Sequence, residues 1–296
     1  MPARYEAAER DIAHYTCHRT RSPGVLDGAA AGPAWQKAPR SPRFVDMVSG
    51  EPGYFDTRAA ALWDDENLYV SFWVEEPFPE AHMTERDGIV FAENDVEIFI
   101  DGGDCYYELE LNAANTVYEV FFIWQDAYTR GGRFDVPEFD LLERKALSFG
   151  GDYDRRTASF WRGTHPRGLR WAFREWDLPG LRTAVQVDGE LNDRFHVSKG
   201  WRALVTLPWK GMAPLANGRS LPPKDGDVWR LFFGRFEKMT VGGIEIQPHP
   251  AWCWNKHGVL DTHLPECFTY VHFSEQAIED LEPGFRSAAS DPGNAS

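Results

Sequence analysis

The sequence is short of what several function classes need. Basic residues are scarce: 31 Lys and Arg against 46 Asp and Glu leave a formal charge of −15 over 296 residues. A phosphate backbone or an anionic membrane calls for a basic surface, so this balance argues against both as partners. No stretch approaches the ~18–20 apolar residues of a membrane helix. P-loop, GxSxG, HExxH and GxGxxG patterns are missing, so nucleotide, serine-hydrolase and zinc-protease chemistry lack support. The cysteines, Cys17, Cys105, Cys253 and Cys267, have no CxxC spacing and read as reduced, buried or half-buried thiols. The start, MPARYEAAERDIAHYTCHRT, is charged and has no apolar run, which predicts a cytoplasmic chain. An exported form, its signal peptide replaced by a new Met, is the alternative. No repeat or low-complexity linker divides the chain, and helical signals are few.

What is present is strand signal. AAALWDDENLYVSFWVEE reads as strand, turn, strand, with Asp64-Asp65-Glu66-Asn67 as a plain turn that lacks EF-hand spacing. Leu68, Val70, Phe72 and Val74 share one face of the second strand, opposite Tyr69, Ser71 and Trp73. NTVYEVFFIWQ, LRTAVQVDG, GWRALVTLPW, DVWRLFFGRFEK and CFTYVHFS continue the pattern. These lengths and spacings predict an all-β fold, a β-sandwich of antiparallel sheets, as one domain over residues 1–283. Residues 126–180, rich in Arg, Gly and aromatics, predict a long irregular insertion, either a surface excursion or a lid. SEQAIEDLEPGF predicts a short C-terminal helix capped by Ser274 and stopped by Pro283-Gly284, and residues 284–296 a disordered tail.

The most unusual stretch is ENDVEIFIDGGDCYYELELN, Glu93 to Asn112, a hairpin that turns at Gly102-Gly103-Asp104. Val96, Ile98 and Ile100 share a face, opposite Asp95, Glu97, Phe99 and Asp101. Tyr107, Leu109 and Leu111 lie opposite Tyr106, Glu108, Glu110 and Asn112. Carboxylates on neighbouring strands repel. That face is therefore either solvated surface or a place where something binds, a neutral ligand or a cation being compatible with the charge. TERDGIVFAEND gathers Glu85, Arg86, Asp87, Glu93, Asn94 and Asp95: a loop of internal ion pairs, a calcium site, or the rim of a site. DTHLPE brings Asp261, His263 and Glu266 together beside His257. Such a His is a structural residue, or, within reach of two acids, a general acid-base group or metal ligand.

Six segments in order carry a resemblance: VLDGAAAGPAWQKAP; ALWDDENLYVSFWVEEP; NDVEIFID with YYELELNAANTVYEVFF; WDLPGLRTAVQVDGELND; GWRALVTLPWKGMAP; and AWCWNKHGVLDTHLPECFTYVHFS. Together they resemble the family 9 carbohydrate-binding modules, most closely their large free-standing bacterial branch, over roughly residues 24–274. The resemblance implies a β-sandwich, in agreement with the strand pattern. It also implies a site that grips a sugar at a chain end: two aromatic rings sandwich the pyranose, charged and amide groups take its hydroxyls, and bound calcium supports the loops.

On that resemblance Glu97 falls on the sugar-binding glutamate, Asn112 on an amide position and Phe91 on one stacking ring. Glu110 stands where the small modules have an arginine. The second ring would fall near Leu260 to Thr262, where there is none; Trp252 and Trp254 are the nearest substitutes, though at i and i+2 they also read as core. Glu97, Glu108 or Glu110, and Asn112 would floor a groove flanked by Tyr106 and Trp73, with Arg235 offsetting part of the acid. The expected carbohydrate-binding set is Phe91, Glu97, Glu110, Asn112, Arg235 and Trp254.

Two functions follow. One is a non-catalytic carbohydrate-binding protein of carbohydrate catabolism with structural calcium. The other is a hydrolase of O-glycosyl bonds, its catalytic groups drawn from Glu97, Glu110, His263 and Glu266. A hydrolase needs its carboxylates ~5–5.5 Å apart for retention or ~6.5–9.5 Å apart for inversion. The resemblance favours binding. The lack of an attached catalytic domain and the extra segment at 126–180 favour the enzyme. No partner protein is identifiable.

Overall fold

Strand-period alternation is carried through in the structure, a computed structural model that describes residues 11–150 and 165–282. Chain order gives β1 (His14–Arg19), β2 (Val45–Asp46), β3 (Thr57–Trp63), β4 (Asn67–Glu75), β5 (Asp95–Asp101), β6 (Cys105–Asn112), β7 (Val117–Trp124) and β8 (Leu147–Phe149). Then come β9 (Arg170–Phe173), β10 (Arg182–Asp188), β11 (Gly200–Pro208), β12 (Val228–Phe236), β13 (Thr240–Val241), β14 (Ile244–Glu245), β15 (Ala251–Cys253) and β16 (Thr269–Ala277). Helix is confined to α1 (Pro33–Lys37), α2 (Ala213–Ala216) and single 3-10 turns among the described residues.

The order β10-β11-β4-β3 makes one layer and β12-β5-β6-β7-β9-β8 the other. β1 and β16 join them at one edge: β1 runs parallel to β3 and β16, and β16 runs antiparallel to β12. The hydrogen-bonded path is continuous and folds over on itself as a sandwich. Leu68, Val70, Phe72 and Val74 of β4 share one core with Val96, Ile98 and Ile100 of β5 and with Leu109 and Leu111 of β6. Phe72 and Phe233 meet across it with ring centroids 6.3 Å apart. Each such burial contributes about 1.5–3 kcal/mol. The four cysteines are buried.

Turn chemistry follows the sequence. Asp64 Oδ1 accepts from the N–H groups of Glu66 and Asn67, which makes the DDEN segment a side-chain-templated turn. Asp101 Oδ1 accepts from Gly103, whose φ of +78° is the left-handed conformation that suits glycine.

Some expectations shift. β16 continues to Ala277, so Ser274 lies in a strand and caps no helix; the short helix near the C-terminus is a 3-10 turn, Ile278–Asp280. Val271 and Phe273 sit at strand period in the core, and that burial outweighs the local helical signal. The expected tail, 284–296, lies outside the described residues, as does 151–164 of the expected insertion. The rest of 126–180 is less irregular than expected, because β8 and β9 extend the second layer beyond β7.

The outer face of each layer is covered. On the first, Trp73 packs against Trp35 and under Arg40, away from Glu97. On the second, Phe99, Tyr106, Phe122 and Phe232 form a separate apolar cluster with Val90, Leu260 and Phe268 from the overlying loops. The acid-bearing face is therefore buried rather than solvated.

Candidate functional site: an acid-floored cleft

Register decides which acids meet. Glu97 on β5 pairs with Glu110 on β6 and with Gly234 on β12. Glu110 and Glu108 pair in turn with Tyr118 and Val120 on β7. A Cβ on Gly234 would lie 2.4 Å from the Phe232 ring, so glycine there lets that ring lie against the strand next to Glu97.

Above this patch is a cleft of about 540 Å³, a size typical of ligand sites. Glu97, Glu108 and Glu110 form its floor. Phe91, Tyr118, Phe122, Phe149 and Phe236 wall it, with Arg170, Arg174 and the segment Leu260–His263 at the sides. Phe91 is 46% exposed and meets Tyr118 edge-on at 5.6 Å.

Asp95, Glu97, Glu108 and Glu110 are all buried. Burial pushes the Glu97 carboxyl well above its ordinary range, helped by the charges of Asp95 and Glu108. Burial does the same to Glu110, with Glu108, Asp95 and Glu97 adding to it. Glu108 is pushed up to about 8 by burial, with its bond to Glu110 and the charge of Arg170 pulling back. One oxygen each of Asp95, Glu97 and Glu110 is buried with no hydrogen-bond partner among the described residues. Buried unpaired carboxylates are costly unless a proton or a cation neutralises them.

The side wall is a hydrogen-bonded chain. Arg170 Nε donates to the Tyr106 hydroxyl at 3.0 Å, and its Nη2 donates to the His263 carbonyl at 3.2 Å. The guanidinium also lies over Trp124 and Phe149, at 4.8 and 5.0 Å. The Tyr106 hydroxyl is 3.1 Å from His263 Nδ1. Accepting from Arg170, it donates to Nδ1 and leaves the imidazole proton on Nε2. Burial, reinforced by the Arg170 charge, holds His263 well below its usual pKa and therefore neutral.

The loop behind is pinned twice. The His263 N–H donates to Asp261 Oδ1 at 2.8 Å, and His257 Nδ1 lies 2.8 Å from the Asp261 carbonyl. Burial pushes Asp261 up to about 6 and His257 down to about 4.

Of the residues expected from sequence, Phe91, Glu97, Glu110 and His263 line the cleft. Asn112 does not. Its Nδ2 donates to the Met83 carbonyl and to Glu93, and its Oδ1 accepts from Ala114 and Thr116, so its amide templates the turn after β6. Arg235 points to the other side of β12, where it binds Glu237 at 2.6 Å, lies 3.5 Å from Glu76 and donates to Thr57. Trp254 is a core residue against Tyr15 and Phe233, each at 5.1 Å. Trp252 is buried in the same core. Glu266 turns away to His165 at 3.1 Å. His263 thus meets Tyr106 rather than two acids. Tyr106 itself lies beneath the wall, stacked on Phe122 at 4.6 Å.

Tyr118 and Phe122 were not expected, although the alternation of β7 beside Glu110 and Glu108 encodes them. Phe149, Arg170 and Arg174 come from the aperiodic segment and carry no such signal.

Several residues of the Glu85–Asp95 loop are committed to bonds within the protein. Glu93 accepts from the N–H groups of His82 and Met83, Asn94 bridges Glu76 and the Lys238 N–H, and Arg86 pairs with Glu119 and Asp177. Asp87 Oδ1 of the same loop is buried without a hydrogen-bond partner among the described residues. The cleft floor differs: Asp95, Glu97 and Glu110 each present an oxygen, all within 4.8 Å of one another.

Residues 26–129 match the family described as carbohydrate family 9 binding domain-like, a span that holds β5, β6 and β7 and so the cleft floor. No curated protein matches the chain. Among solved structures it is similar to a presumptive carbohydrate-binding protein from Bacteroides uniformis ATCC 8492, with 14% identity, a TM-score of 0.52, and coverage of 88% of this chain and 100% of that one. That similarity is one of fold. A family 9 module from Caldicellulosiruptor kristjanssonii appears twice. Its cellotriose complex gives 13% identity, a TM-score of 0.45, and 90% and 98% coverage. Its glucose complex gives 13%, 0.44, and 90% and 100%.

Proposed function

We propose that this chain, with residues 26–129 matching the family 9 domain-like profile, is a carbohydrate-binding protein that holds its sugar in the acid-floored cleft. The observation that supports this most is the pairing of unpartnered oxygens on Glu97 and Glu110 with a wall of aromatic rings. A pyranose has donor hydroxyls around an edge and apolar C–H faces. Hydroxyls that donate to Glu97 and Glu110 would satisfy acceptors otherwise left bare. Phe91 and Tyr118 offer ring surface to a C–H face. His263 and Arg174 supply donors for the sugar's acceptor oxygens.

The same geometry bears on hydrolysis. The Glu97 and Glu110 oxygens lie within 4.8 Å of one another, short of the ~6.5–9.5 Å of an inverting pair. A retaining pair, however, needs one carboxyl kept protonated and the other ionised by unlike environments. Glu97 and Glu110 share one environment, which pushes both in the same direction. The family 9 domain-like match over residues 26–129 favours binding over catalysis.

Saturation-transfer NMR with a panel of mono- and oligosaccharides, glucose and cellotriose included, tests the proposal. Transfer to at least one sugar, abolished by Glu97→Gln, is expected. No transfer across the panel, or transfer indifferent to Glu97→Gln, would reject it. Mass spectrometry of the same mixtures detects cleavage; a product that disappears in Glu97→Gln would replace binding by hydrolysis.

A further inference from the structure

Asp95, Glu97 and Glu110 present one carboxylate oxygen each within 4.8 Å of one another. Three carboxylates gathered this closely can share one ion at the ~2.3–2.6 Å of a calcium–oxygen contact with a small inward movement of their side chains. Each of the three carboxylates also has a bare oxygen. Asp95 Oδ2, Glu97 Oε2 and Glu110 Oε2 are buried without partners among the described residues, on side chains no more than 2% exposed. Two of the cationic groups nearby are committed elsewhere, Arg235 to Glu237 and Glu76, Arg170 to Tyr106 and the His263 carbonyl, and the third, Arg174, lies over the Tyr118 ring at 5.8 Å. Charge, spacing and missing partners thus point to one occupant. Two of the three residues line the cleft, so an ion there would have an open side.

We propose that a divalent cation of the calcium class binds Asp95, Glu97 and Glu110 on the cleft floor and offers its open positions to vicinal hydroxyls of the carbohydrate. The donors are all carboxylates, which suits a hard cation. Calcium takes about 6–8 oxygens, and three carboxylates leave some of those positions to water or to a ligand's diol. Asp95 Oδ1 is held at 3.2 Å by the Phe236 N–H, which orients the remaining oxygen before an ion arrives. This site is distinct from the loop-supporting calcium implied by the family resemblance. Its second half rests on the carbohydrate-binding reading.

The test separates the two. Chelator-treated full-length protein is titrated with CaCl2, then with MnCl2, by calorimetry without sugar. One ion per chain is expected, with at least a tenfold loss of affinity in Glu97→Gln and in Glu110→Gln, each checked for cooperative unfolding. No uptake at millimolar concentrations, or variants that bind as well as the unaltered protein, would overturn the site. Should a variant fail to fold, Mn2+ broadening of backbone amide signals in the unaltered protein locates the ion. Loss around 95–97 and 110–112 supports the site, and loss elsewhere overturns it. The sugar identified by saturation transfer is then titrated with calcium and with chelator. A tenfold or greater loss on chelation supports the bridge. Equal affinity overturns the bridge and leaves sugar binding standing. If no sugar binds in either condition while the ion binds as expected, the carbohydrate reading fails and the cation site stands.

Discussion

Glu97 on β5 and Glu110 on β6 are direct cross-strand partners, both are buried, and neither forms an ion pair among the described residues. Like charges in that position destabilise a sheet. A fold that keeps them spends stability on the floor of its cleft, a pattern expected of binding sites rather than of scaffolding.

It follows that removing one of these carboxyls should help the empty protein. Glu110→Gln is expected to raise the stability of the ligand-free, chelator-treated chain by about 1–3 kcal/mol. Urea unfolding at neutral pH measures this. A loss of stability would mean that the carboxylate has a partner in the folded state.

The wall should behave in the opposite way. Tyr106→Phe removes the acceptor of Arg170 Nε and the donor to His263 Nδ1. Leaving those buried groups unpaired is expected to cost about 1–3 kcal/mol. A change within about 0.5 kcal/mol, the usual scale of a neutral surface substitution, would show that the chain of bonds is not formed.

Gly234→Val tests the packing of the Phe232 ring beside Glu97. A Cβ there meets the Phe232 ring at 2.4 Å. Overpacking of this kind costs about 1–3 kcal/mol, and sugar binding is expected to fall with it. Unchanged unfolding and binding would contradict the placement of the Gly234 face.

The loop behind the cleft carries two titrations of opposite sign. Asp261 is raised to about 6, so its contribution is fully present below the unfolded carboxyl pKa and is lost as pH rises through 6. His257 is lowered to about 4, so its contribution is present above the unfolded imidazole pKa and is lost as pH falls through 4. Between these limits the two nearly cancel. Relative to the unaltered protein, Asp261→Asn is therefore expected to gain stability with rising pH between pH 4 and 6, with a slope of up to about 1.4 kcal/mol per unit. His257→Asn is expected to show the reverse. Urea midpoints at several pH values decide it, and slopes of the same sign in both variants would contradict the pairing.

The residues that were legible in the sequence are those whose position follows from strand parity. Alternation places Val96, Ile98 and Ile100 inward and Glu97 and Glu110 on the opposite face, and the structure keeps that division. Parity says nothing about what covers the second face, which is why surface acid and buried acid look alike in sequence. Asn112 shares that parity yet is consumed by the turn it ends in, because an amide two residues from a tight turn finds backbone partners first. Arg235 has the opposite parity to Phe236, which lines the cleft, and that parity alone takes it to the other side of the strand. Trp254 is drawn into the core, where Tyr15 and Phe233 bury its ring. Arg170 and Phe149 lie in an aperiodic segment, and their arrival at the cleft is a consequence of β8 and β9 pairing beside β7, a long-range contact that no local pattern encodes.

The most direct measurement is a calorimetric titration of the best saturation-transfer sugar into four proteins: unaltered, Glu97→Gln, Phe91→Ala, and Phe195→Ala as a fully exposed aromatic outside the cleft. Binding is expected to vanish in Glu97→Gln, to weaken in Phe91→Ala by about 0.5–1.5 kcal/mol for the lost ring contact, and to be unchanged in Phe195→Ala. Equal affinity in all four would place the sugar elsewhere and contradict the cleft as the binding site.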